Sequence, residues 1–148
     1  MTLSFMVLGY PEPQGSIKAF TPKGARFPTL TSDNADLKPW RQDVSLQALR
    51  AMKASRYEVS AEAVELALSF YFAKPRSAPK ILIHKITRPD LDKCTRAILD
   101  ALKGIIYLDD SQVVAFTCEK EFGLPERAEI LVKTFAVKSP KGMTGKAT

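Results

Sequence analysis

Residues 88–114 read RPDLDKCTRAILDALKGIIYLDDSQVV, and the fold turns on how this stretch divides. Leu91, Cys94, Ile98, Ala101 and Leu102 recur at three- and four-residue steps, which predicts a helix from Asp90 or Leu91 to Leu102. Gly104 suits the position just past its end, where the backbone turns left-handed. Asp109 and Asp110 then make a turn, and Val114, Phe116 and Cys118 begin an apolar alternation that predicts a strand over 113–122. Upstream, Val64, Leu66, Leu68, Phe70 and Phe72 alternate with more polar neighbours, the plainest strand pattern in the chain, over 63–73.

Working outward, residues 2–8 predict a first strand, and two prolines and two glycines break the chain at 9–15. A loose hairpin is expected over 16–31. Ser32-Asp33-Asn34 offers N-cap chemistry for a helix over 35–54, with Leu37, Trp40, Val44, Ala48 and Ala51 on its buried face. Trp40 reads as a core anchor. Residues 128–137 predict a last strand after a turn at 123–126. Strands precede, separate and follow the helices, so the expected class is α+β, with helices packed on a mixed β-sheet. One domain over 1–138 and a disordered polar tail over 139–148 are expected.

The chain has 148 residues, enough to bury roughly 70% of its unfolded surface in one domain. Its 45% hydrophobic and 26% charged content argues against wholesale disorder. No apolar run nears the roughly 20 residues that span a bilayer, and the first residues lack the pattern of a secretory leader. Two cysteines, Cys94 and Cys118, make no disulfide framework and fit a reducing cytoplasm. The single histidine, His84, argues against a His-rich zinc site and most His-dependent hydrolases.

A net charge of +6 points to a polyanionic partner, and its distribution says more. Residues 74–88 carry Lys74, Arg76, Lys80, Lys85 and Arg88 with no acid, a credible surface for a phosphate backbone. Residues 90–110 hold five of the eight aspartates: Asp90, Asp92, Asp100, Asp109 and Asp110. One such Asp is ordinary helix-cap or turn chemistry, but D-x-D followed by D-D crowds like charges that need a cation among them. A helix over 91–102 is about 18 Å long. Residues 104–110 can extend about 23 Å, so the chain can return and bring the second pair beside the first. Carboxylates without His or paired Cys suit Mg²⁺, and the ligand loop of an EF-hand is absent. Metal-assisted attack of water on a phosphodiester is the chemistry such a site performs. Asp92, Arg96 and Asp100 share a helix face, where the plainest expectation is an ion-pair ladder with Asp100 structural. Lys120, on the parity of Val114 and Phe116, needs an acidic or phosphate partner.

The stretch from Arg88 to Val114 resembles the core of the RusA family of Holliday-junction resolvases, found in bacteria and prophages. The shared pattern is P-D-x-D, then D-A-L, then D-D-x-x-V and a later Lys, spanning about residues 87–122. Pro13–Gly15 and Trp40-Arg41 resemble the N-terminal part of prophage members. The resemblance implies a small α+β homodimer that cuts four-way DNA junctions with Mg²⁺ or Mn²⁺. It maps catalytic metal-binding carboxylates onto Asp90, Asp92 and Asp110, with Asp109 in support. The family's helix Lys falls on Arg96 and its later strand Lys on Lys120. Lys93 stands where the family usually has Asn, and Arg96 where it has Lys. A second reading therefore stands beside the first: a branched-DNA-binding module with weakened catalysis. Phe72 and Tyr107 are candidate wedges for the crossover, although core packing is the stronger expectation for both.

Overall fold

A computed structural model describes residues 1–15, 17–32 and 34–136. The strands are β1 (Thr2–Leu8), β2 (Ile17–Phe20), β3 (Thr29–Ser32), β4 (Ala63–Phe72), β5 (Val113–Phe122) and β6 (Arg127–Phe135). The helices are α1 (Leu37–Ser55) and α2 (Leu91–Leu102), and a 3₁₀ turn spans Asp110–Gln112.

The alternation read in 63–73 forms the centre of the fold. Val64, Leu66, Leu68, Phe70 and Phe72 are all buried on one face of β4. The main sheet runs β1-β6-β4-β5, and β2 and β3 pair separately as an antiparallel hairpin. β6 is antiparallel to both β1 and β4. β4 and β5 are parallel, with Leu66 opposite Phe116 and Phe70 opposite Lys120. Parallel neighbours need a long crossover, and the loop after β4 together with α2 supplies it. The sheet is thus mixed, as the α+β reading expects.

Both helices bury their predicted stripes. Leu37, Trp40, Val44 and Ala48 of α1 join Cys94, Ala97, Ile98, Ala101 and Leu102 of α2 in one core with β4 and β6. Ala51 is partly buried against it. The buried Trp40 indole N–H has no hydrogen-bond partner among the described residues. Phe72 is 1% exposed and Tyr107 0%, so both are core residues and neither serves as a wedge.

Three expectations need correction. α1 begins at Leu37 rather than 35, and its N-cap is Asp36, without a side-chain cap bond. Asn34 instead makes a local turn, accepting from the Asp36 N–H at 3.1 Å, and its amide donates to Glu12 and Pro13. Asp33 lies outside the described residues, as does the tail 139–148. On β5, Val114 and Phe116 are 65% and 51% exposed. β5 is an edge strand, so its alternation does not mark a face in the core. No helix among the described residues is long and apolar enough to cross a membrane.

Candidate active site

α2 starts where the basic loop ends. Asp90 occupies the N-cap position in extended conformation, yet its carboxylate makes no cap bond. It lies 3.8 Å from the Lys93 ammonium, with both side chains about half exposed. It opens into a cavity of about 380 Å³ with Glu12, Gln14, Arg88 and Lys93. The Gln14 carboxamide oxygen in that wall is buried without a partner among the described residues.

Asp92 faces elsewhere. It lines a cavity of about 620 Å³ with Arg96, Asp100, Asp110, Phe116 and Cys118. The helix period explains the divergence, since residues two apart point to nearly opposite sides while residues four apart share one. No ion pair joins Asp92, Arg96 and Asp100 among the described residues, so the expected ladder does not form. Asp100 belongs to the cavity wall rather than to a structural pair, and two four-residue steps from Asp92 through Arg96 are the signal that places it there.

The return of the chain is built with care. Gln112 accepts from the backbone N–H groups of Leu108 and Asp109, and its amide donates to the carbonyls of Ser60 and Glu62. Sequence reading passed over this residue. Asp109 accepts from the Ser111 N–H at 3.1 Å and pairs with Lys103 at 3.2 Å. The hydrogen bonds from Ser111, reinforced by Lys103, hold its carboxyl down at about 2. Asp109 therefore fixes the turn, while Asp110 faces the cavity. Tyr107 donates to the Leu99 carbonyl at 3.0 Å. Burial first, and the Asp110 carboxylate next, raise its pKa, so it stays a protonated donor beside Asp110.

Among the described residues Lys120 forms no ion pair with an acid. Its ammonium donates to the carbonyls of Thr87 at 2.8 Å and Pro89 at 3.0 Å, fastening the chain that enters α2. The five basic residues of the loop also divide. Lys74 donates to the Leu82 carbonyl at 2.7 Å, and Lys85 donates to Thr87 while its ammonium sits 5.0 Å from the Phe72 ring. Burial, then the charge of Lys120, lowers the Lys85 pKa. Arg76, Lys80 and Arg88 are exposed and face solvent. Cys94 is buried, which pushes its thiol up to about 12.

Among the described residues no three His, Cys, Asp or Glu side chains form a group able to hold a metal ion. The donors on the larger cavity still suit a hard cation. Mg²⁺ commonly takes one or two carboxylates and completes its shell with water and substrate phosphates, and Asp92 with Asp110 offers that number.

A family model described as endodeoxyribonuclease RusA matches residues 11–133. The chain belongs to this family. RusA proteins are endodeoxyribonucleases that act on Holliday junctions and generally depend on a divalent metal. The chain is also similar to an uncharacterized protein, YqaN, of Bacillus subtilis (strain 168), at 37% identity over 60 residues. That match covers 40% of this chain and 42% of YqaN, so the chain spans less than half the length of that curated relative.

Proposed function

We propose that this chain is a Mg²⁺- or Mn²⁺-dependent endonuclease that resolves four-way DNA junctions as a homodimer. The observation that supports it most is the set of Asp92, Arg96 and Asp110, without ion-pair partners among the described residues and gathered on one cavity of a RusA-family chain. Asp92 and Asp110 would hold the cation. When bound, it would lower the pKa of the attacking water and offset charge on the phosphate. Arg96 presents two parallel N–H donors to the non-bridging oxygens of the scissile phosphate. Asp109 and Gln112 fix the turn that carries Asp110. Asp90 contributes from the mouth of α2. Its exposed pair with Lys93 is worth at most about 1 kcal/mol, so an arriving cation can displace it. Lys120 sets the position of the helix entry. Arg76, Lys80 and Arg88 grip the DNA backbone. A twofold dimer supplies the two sites that paired nicks require.

The test uses a synthetic four-way junction labelled on each strand in turn, with Mg²⁺ present. Wild type should nick opposite strands symmetrically and leave duplex intact. Asp92→Asn and Asp110→Asn should each lower the rate at least about 100-fold while junction binding persists. Cleavage at the wild-type rate by both variants would sink the mechanism.

One observation favours a second reading, a branched-DNA-binding module with weakened catalysis. Lys93 engages Asp90, one of the carboxylates the family pattern assigns to the metal. Under that reading wild type binds junctions without cutting, and Lys93→Asn restores cleavage.

A further inference from the structure

The loop between β4 and α2 exposes three isoleucines within six residues. Ile81 is 88% exposed, Ile83 76% and Ile86 78%. Burying such a side chain is worth about 1.5–3 kcal/mol, so three left in water on one loop need a partner. The base of the loop is held. Lys74 reaches the Lys80 and Leu82 carbonyls. Lys74 and Lys85 lie 5.7 and 5.9 Å from the Phe122 ring, and Lys120 clasps Thr87 and Pro89. The isoleucines are therefore held outward by a fastened stem.

We propose that Ile81, Ile83 and Ile86 form an apolar wedge that enters the opened base pairs at a DNA branch point. This rests on the nuclease reading above and deepens it by naming what selects the branched substrate. Charge complementarity commits the occupant. Residues 74–88 carry five cations and no acid, and Arg76, Lys80 and Arg88 are exposed among the isoleucines. A second copy meeting this loop across a twofold axis would bring the same cations face to face. The loop also leads directly into the site, because Ile86 precedes Asp92 by six residues, at most about 22 Å of extended chain. Aliphatic wedges between base steps cost a few kcal/mol of stacking in duplex DNA. At a branch point that stacking is already interrupted, so the wedge discriminates junction from duplex.

The test places 2-aminopurine at the centre of a four-way junction and adds the full chain in EDTA, which permits binding without cleavage. Wild type at saturation should raise the fluorescence at least about twofold as bases unstack. The variant carrying Ile81→Ser, Ile83→Ser and Ile86→Ser should melt at the wild-type temperature, leave the fluorescence at the free-junction level and lose about tenfold in preference for junction over duplex. A rise that persists in the triple variant overturns the wedge. So does a variant that falls from dimer to monomer, which would make the loop a self-interface. Loss of binding to phosphatidylserine vesicles with junction fluorescence unchanged overturns it in favour of a lipid surface. Wild type that cuts junctions without any fluorescence rise overturns the wedge alone, whereas wild type that neither binds nor cuts them overturns the nuclease reading as well.

Discussion

Asp90 and Asp92 are two residues apart in sequence and belong to different cavities in the fold. The D-x-D spacing draws the eye to a pair, but helix geometry makes Asp92, Arg96 and Asp100 the set that shares a face. That face was legible in the sequence, whereas its lack of internal ion pairs was not, because pairing depends on side-chain conformation. Gln112 was illegible for a related reason: its four partners come from two stretches of the chain about fifty residues apart, 60–62 and 108–109. Gln112→Ala should lower stability by about 1–3 kcal/mol in urea unfolding and slow junction cleavage about tenfold, with Asp110 no longer held. An unchanged unfolding midpoint would contradict that role. Burial separates the two thiols. Cys118, half-buried on the cavity, should react with iodoacetamide in the native chain while Cys94 stays protected until unfolding, as mass spectrometry of the labelled peptides would show.

At the scale of elements, β4 was readable because both its alternation and its burial follow one rule. β5 was not, since an edge strand carries apolar residues without burying them, and pattern alone does not distinguish edge from centre. The parallel pairing of β4 with β5 follows from the crossover through α2, a relation no local window contains. Leu68 lies buried at the middle of β4, and Leu68→Ala should cost about 2–5 kcal/mol in chemical denaturation. Lys120 ties β5 to the entry of α2. Lys120→Met removes two hydrogen bonds from a charged donor and should cost about 1.5–3 kcal/mol. Hydrogen exchange over residues 86–90 should quicken in that variant, and unchanged exchange would mean that the loop is held by other contacts.

Across the whole molecule, the charge is segregated. The excess of +6 combines an acidic stretch over 90–110 with a basic loop that adjoins it in sequence and in space. Under the proposed nuclease reading the loop supplies the exposed cations, and a phosphate would reach the carboxylates of the acidic stretch only with a cation. Junction affinity should therefore fall steeply with salt, and Arg76→Ala together with Lys80→Ala should flatten the log–log slope by about 2. A slope unmoved by that double variant would place the backbone contacts elsewhere. The most direct test of the central claim, that Asp92 and Asp110 form the metal centre, is Mn²⁺ titration followed by amide NMR. The account predicts selective broadening around residues 91–96 and 109–112 in wild type, and its loss in Asp92→Asn. Broadening centred on Glu12 and Asp90 that leaves 109–112 untouched, or none beyond a uniform background, would contradict it.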